Sequence, residues 1–353
     1  MHQQGKQRIA APLIAKWAIG WVAGTLIIAL TSPWFVRSYL PEDFCAERKS
    51  FVPVSNDYRW RSEGYATTTI GPYGMPGRTE LRPKSDDVMR VALWGDSQAE
   101  GVCVRDKEKL FAQIQQSANF PIEVLPLARS GQSAVDWLSQ MPVVEQELQV
   151  DAHLMLIVDL PDLSTVALDS HQVDAVQTNS KIAANIPAFV IQAGRHLLYD
   201  SDDNRRHLRF SIGPESPFCC VFPPGLTEGD SEQKDWQDVW KSDLHEIRRA
   251  SELPIMIAYA PKSPSISGGI VRWDNPHAEE FHGMRQTAQE AGIAVIDTTS
   301  VLQESARAGN WPHGFHNGQI GAGHLNAIGN EVIAAEIADS LSGLTSANED
   351  GRP

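Results

Sequence analysis

Cysteine is scarce in this chain: four residues in 353, Cys45, Cys103, Cys219 and Cys220, with no C-x-x-C pair among them. That excludes a disulfide scaffold and a zinc knuckle, and adjacent Cys219 and Cys220 leave any pairing unassigned. Positive charge is also short, with 30 Lys and Arg against 44 Asp and Glu and a formal charge of -14. Nonspecific binding to nucleic acid draws on clustered Lys and Arg, so a nucleic-acid partner is not expected. The chain lacks a P-loop, a G-x-G-x-x-G after a strand and a G-x-S-x-G elbow. These absences argue against nucleotide binding and against the common nucleophile turn of α/β-hydrolases. No internal repeat is evident.

What is present is enough apolar material, 42% of the residues, for one large domain or two small ones. From Trp17 to Val36 no charged side chain occurs, and Lys16 and Arg37 bracket the run. Its length matches the roughly 20 residues a helix needs to cross hydrocarbon. Trp17, Trp21 and Trp34 include rings near both ends, where amphipathic aromatics favour the interface. A cleaved signal peptide is the competing reading, but the run is long and no A-x-A site precedes Pro33. The expectation is a cytoplasmic tail over 1–16, a single inner-membrane span over 17–36 and an extracytoplasmic remainder, because Lys6, Arg8 and Lys16 precede the span.

Residues 37–88, rich in Pro, Gly, Arg and Thr, read as a stalk and irregular lead-in. Apolar runs of strand length then alternate with helical patterns. Strands are expected at 91–94, 122–127, 154–158, 255–259 and 293–296, with helices near 109–116, 134–147, 236–250, 278–291 and 327–341. That alternation predicts an α/β domain over 89–341, a parallel sheet covered on both faces by helices. The stretch at about 164–234 breaks the pattern and reads as an insertion, and 342–353 reads as a disordered tail.

In such a sheet, functional groups gather beyond the carboxyl ends of the strands. After the first strand stands Gly95-Asp96-Ser97, which puts a serine hydroxyl at a strand-to-helix turn, where a helix N-terminus stabilises a developing oxyanion; Asp96 or Ser97 serving only as a helix cap is the bland alternative. After the second strand stands Ala128-Arg-Ser-Gly-Gln-Ser133, where Gly131 opens the backbone to a ligand or simply makes a turn. Gly321-Ala-Gly-His-Leu-Asn326 delivers His324 just before the last helix, so serine and histidine can meet as nucleophile and base.

These residues, Gly95-Asp96-Ser97, Gly131 and Gly323-His324-Leu325-Asn326, resemble the SGNH, or GDSL-type, hydrolases over roughly residues 73–341. Gly71-Pro-Tyr-Gly-Met-Pro-Gly-Arg78 and Glu100-Gly-Val-Cys-Val104 look like the membrane-anchored bacterial members. The resemblance implies a three-layer flavodoxin-like fold. It further implies that Ser97 attacks an ester to form an acyl-enzyme, that His324 is its base, and that the backbone amides of Ser97 and Gly131 form the oxyanion hole. An ester substrate is implied, and the anchored topology favours an acylated envelope polysaccharide. No cofactor is expected.

Two departures from the family pattern stand out. The family's Asn-Asp pair after the third strand falls in Val158-Asp-Leu-Pro-Asp162, where Asp162 matches the aspartate but Pro161 replaces the asparagine and offers no donor. Gln132 or Ser133 could substitute. The aspartate expected three residues before the histidine is Gly321, so the triad lacks a local acid. A main-chain carbonyl, Asn317 or Asp297 could hold the imidazole, and the expectation is a Ser-His dyad with Asp96, Asp162 and Asn317 as supporting candidates. With both groups missing, the rival reading is a catalytically weakened pseudoenzyme that acts as a glycan-binding or envelope-assembly component. A zinc set of His313, His316 and His324 is disfavoured because no carboxylate or thiolate lies near it in the sequence, and Cys103 reads as buried packing.

Overall fold

A computed structural model describes residues 10–35, 42–54, 57–60, 63–165, 236–267 and 269–350. The expected insertion lies almost wholly outside these residues. Helix α1 (Ala10–Phe35) carries an apolar window, Ile14–Thr31, with mean hydropathy 1.6, and is long and apolar enough to cross a membrane. None of the residues in that window is buried in the protein.

The lead-in differs from expectation. The described residues of 42–78 include two short antiparallel strand pairs, β1 (Glu42–Cys45) with β2 (Ser50–Pro53) and β3 (Asp57–Arg59) with β4 (Thr67–Thr69). Arg48 is the pin. Fully buried, its guanidinium donates to the Leu127 carbonyl at 2.6 Å, to Gln140 Oε1 at 3.0 Å and to the Tyr73 carbonyl at 3.3 Å. The acceptors at Leu127 and Gln140 come from the domain itself, which local composition cannot foresee.

Five strands form the central sheet: β5 (Met89–Trp94), β6 (Ile122–Pro126), β7 (Ala152–Ile157), β8 (Ile255–Tyr259) and, in the chain after a small hairpin of β9 (Ser265–Ser267) and β10 (Ile270–Arg272), β11 (Ala294–Asp297). All are parallel, in spatial order β6-β5-β7-β8-β11. This is the flavodoxin-like order 2-1-3-4-5, with its switch point beside β5. The strands are nearly continuous apolar runs because both faces are covered. Along β5, Ala92 and Trp94 face one core and Val91 and Leu93 the other.

On the first face lie helices α4 (Ala134–Leu148), α5 (Trp236–Arg249) and α6 (Ala278–Glu290), through Trp137, Met141, Trp240, Leu244, Phe281 and Met284. On the second lie α3 (Leu110–Ser117), α7 (Thr299–Arg307) and α8 (Ala327–Asp350), through Leu110, Ile114, Leu302, Ile333 and Ile337. The chain before α3 holds one further turn, α2 (Ser97–Glu100). The single imidazole buried inside β7, His153, has a structural place: its Nδ1 accepts from the Trp94 indole at 3.0 Å, so its Nε2–H faces Glu145 Oε1 at 3.0 Å. The final helix continues to Asp350, where the small polar composition predicts a disordered tail.

Candidate active site

The chain leaves β5 through Gly95 at φ +150°, where an added Cβ would stand 2.5 Å from the Ala99 Cβ and 3.0 Å from the Leu156 carbonyl oxygen. Only glycine fits, and the turn it makes sets Asp96 as the cap: Asp96 Oδ1 accepts from Gln98 N at 2.9 Å. Ser97 is therefore the first residue of α2, half-buried at the carboxyl edge of the sheet. Because α2 has four residues, its dipole is small, and the expected helix contribution to oxyanion binding reduces to local amides. The Asp96 carboxyl is pushed above the usual carboxylate range, chiefly by burial, against the Gln98 amide.

His324 arrives from the opposite end of the chain on a loop pinned to the same edge. Asn326 donates to the Trp311 carbonyl at 2.7 Å and to that of Gly314 at 3.1 Å, and accepts from the amides of Ile328 and Gly329 at the start of α8. Leu325 N donates to Gln98 Oε1 at 2.8 Å, which joins the histidine loop to the serine turn. The result is a His324 Nε2 to Ser97 Oγ separation of 3.0 Å across 227 residues of sequence.

The acid partner is one that sequence reasoning missed. Glu63, from the lead-in, places Oε2 at 2.7 Å from His324 Nδ1 and accepts from the His324 main-chain N–H through Oε1 at 3.2 Å. A carboxylate accepts, so Nδ1 carries the proton and Nε2 is free to accept the Ser97 hydroxyl proton. The contact demands glycine at 323: its φ is +88°, and an added Cβ would stand 2.1 Å from Glu63 Oε1. Trp60 covers the ring edge-on, with centroids 6.2 Å apart. No local signal marks Glu63 as the partner of this ring, because 261 residues separate it from His324.

This geometry corrects the expected dyad and its alternatives. Asn317 does not touch the imidazole; its Oδ1 accepts from Gly64 N at 2.8 Å and so holds the turn that carries Glu63. Asp297, at the end of β11, instead accepts from Thr299 N at 3.0 Å. No main-chain carbonyl is needed at Nδ1.

Beyond β6, Gly131 takes φ +79° in an exposed turn, with nothing near the position of a Cβ. The turn is fastened to α2 by Glu100, almost fully buried, whose Oε2 accepts from Ser130 N at 2.7 Å and from Ser130 Oγ at 2.6 Å while Oε1 accepts from Arg129 at 3.3 Å. Arg129 also pairs with Glu42 of β1. Ser133 is occupied as the cap of α4, in a capping box with Asp136. Past β7, Pro161 and Asp162 lie in a short turn, Leu160–Leu163. Burial first, then the neighbouring charges of Asp96 and Asp159, push the Asp162 carboxyl up to about 7. Asp96 and Asp162 thus flank the switch point from adjacent strands.

One expectation about donors needs revision. Among the described residues the three histidines are not grouped as metal ligands, and His313 is buried with neither ring nitrogen hydrogen-bonded. A carboxylate and a thiol do stand near His324 in space, since one ligand atom each from Glu63, Cys103 and His324 lies within 4.8 Å of the others. Cys103 is buried, as expected.

No family model matches the chain, and no curated protein matches it. Solved structures do resemble it at low identity. LAE5, an alpha/beta hydrolase enzyme from the metagenome of Lake Arreo, Spain, is 15% identical, with 72% of this chain and 95% of that chain covered and a TM-score of 0.38. TesA is 10% identical over 72% of this chain and 99% of its own, with a TM-score of 0.38. A lipase/acylhydrolase from Enterococcus faecalis is 14% identical over 72% and 96%, with a TM-score of 0.35. Likeness at that level concerns the fold alone.

Proposed function

We propose that this protein is a membrane-anchored, extracytoplasmic serine esterase or O-acyltransferase of the SGNH type, working through Ser97, His324 and Glu63. The observation that carries the reading is the unbroken relay Ser97 Oγ, His324 Nε2, His324 Nδ1, Glu63 Oε2, with links of 3.0 and 2.7 Å. A hydroxyl with a neutral imidazole as acceptor, itself oriented by a carboxylate, is the arrangement that activates serine toward a carbonyl.

In the proposed reaction Ser97 Oγ adds to the ester carbonyl as its proton passes to His324 Nε2. Glu63 stabilises the imidazolium without taking its proton. The N–H groups of Ser97 and Gly131 are assigned to the oxyanion. Collapse of the tetrahedral intermediate expels the alcohol, which takes the proton from Nε2, and leaves an acyl-Ser97. Water or a sugar hydroxyl then attacks with the same base, giving hydrolysis or transfer. An acylated envelope glycan suits a domain held at the membrane by α1.

A second reading has one specific observation in its favour. Pro161 supplies no donor where the SGNH pattern has asparagine, and losing one oxyanion donor costs ~10²- to 10³-fold in turnover. A glycan-binding pseudoenzyme is therefore the rival, although Glu63 removes the argument from a missing acid. Reaction with a fluorophosphonate probe separates the two. Labelling of the wild type that disappears in Ser97→Ala and falls sharply in His324→Ala supports the hydrolase; an unlabelled wild type supports the binding module.

A further inference from the structure

The proposed reaction makes no use of Cys103, yet this thiol stands against its acid. Sγ lies 4.0 Å from Glu63 Oε2, and the turn at Gly64 presses so closely on Cys103 that an added Cβ there would stand 2.0 Å from the Cys103 carbonyl oxygen. Sulfur, oxygen and nitrogen donors from three separate chain segments thus converge, with one ligand atom of each within 4.8 Å of the other two. The Cys103 side chain closes the inner end, whereas Glu63 and His324 keep 16% and 22% of their side-chain surface, which leaves an entry from solvent.

We infer that Glu63, Cys103 and His324 form an inhibitory site for a thiophilic divalent cation of the Zn²⁺ type. Tetrahedral zinc at bond lengths of ~2.0–2.3 Å sets its ligand atoms roughly 3.3–3.7 Å apart. The present spacings, from 2.7 to at most 4.8 Å, bracket that range, so the carboxylate and imidazole spread slightly and the thiol moves inward. Three protein ligands leave a fourth position for water, as in open zinc sites.

The consequence for catalysis rests on the function proposed above. Metal on Nδ1 displaces that nitrogen's proton, which moves to Nε2, while the Cys103 thiol releases its own proton to water and binds as thiolate. Imidazole stays neutral, but Nε2–H now faces Ser97 Oγ and cannot accept a proton. The carboxylate that orients the ring is bound to the metal as well. The serine loses its base without leaving its place.

The test uses the full-length protein in detergent micelles, with ZnCl₂ for inhibition and CdCl₂ as the spectroscopic probe. Each variant's fluorophosphonate labelling rate is normalised to its own metal-free rate. The wild type is expected to lose labelling as Zn²⁺ rises and to recover on chelation, and to show a cadmium–thiolate charge-transfer absorption in the near ultraviolet. In Cys103→Ser the inhibition midpoint moves up by about tenfold or more, the scale on which weakened ligation acts, and the absorption is reduced by the Cys103 share. Cys103→Val serves if the serine variant does not melt cooperatively. Equal Zn²⁺ sensitivity and equal cadmium absorption in wild type and variant overturn the site. If no protein labels even without metal, the hydrolase reading fails, and the cadmium difference spectrum alone still decides the site.

Discussion

Glu63 accepts from one residue twice, at the ring and at the main chain of His324, and so holds both the tautomer and the place of the imidazole. Glu63→Gln keeps the shape but removes the charge that stabilises an imidazolium. Its kcat on a short aryl acetate is expected to fall by about 10²- to 10⁴-fold with little change in KM, because the lost interaction is made in the transition state. Two other groups, the buried His313 and the half-buried Asp162, have opposite pH signatures. Burial, then Lys262, pulls the His313 imidazole down to about 4, so the unfolded chain binds more protons below its ordinary value of 6.5. Stability from His313 is therefore present above about pH 6.5 and lost as pH falls toward 4, on the order of 3 kcal/mol. The raised Asp162 carboxyl acts the other way: the folded state holds the proton, and stability declines as pH rises from about 4 to about 7. Denaturant titrations are expected to show a flattened profile in the wild type, a rise with pH in Asp162→Asn and a decline with pH in His313→Gln.

The serine turn, the turn after β6 and the histidine loop behave as one assembly because each is hydrogen-bonded to another. Glu100 links the first two through three bonds, and Gln98 links the first to the third. Removing the buried Glu100 carboxylate strands Ser130 N and half of the Arg129 guanidinium, so Glu100→Ala is expected to cost about 3 kcal/mol in urea unfolding. Labelling should slow as well, since the turn bearing Gly131 loses its anchor. At this scale much was legible. The strand at 255–259 was read to the residue, and Ser97 and His324 were placed on one sheet edge, because apolar runs bounded by turn residues encode parallel strands and active residues follow strand ends. Helix α7 and the hairpin of β9 and β10 escaped the reading, since short amphipathic pieces carry weak periodicity.

Seen whole, the protein wears its lead-in as a strap. The segment between α1 and β5 buries Arg48, Val52, Tyr58 and Met75 and carries Glu63 to His324. A soluble fragment beginning near residue 40 is expected to fold and label like the detergent-solubilised full chain. One beginning near residue 85 lacks Glu63 and the Arg48 pin; it is expected to melt at lower temperature and to label at a rate no greater than Glu63→Gln. Equal rates for the two fragments would place the acid elsewhere.

By itself the sequence determined the apolar first helix, the parallel α/β layering and the pairing of a serine after the first strand with a histidine before the last helix. Each of these is written locally, as a hydropathy window, an alternation or a turn. What only the tertiary structure decided is which distant groups complete the histidine's surroundings. Glu63 and Cys103 converge on His324, and Gln98 holds the adjacent Leu325, through contacts spanning hundreds of residues. A carboxylate's role is set by what lies within hydrogen-bond reach, and that reach is a property of the packed chain, not of spacing along it.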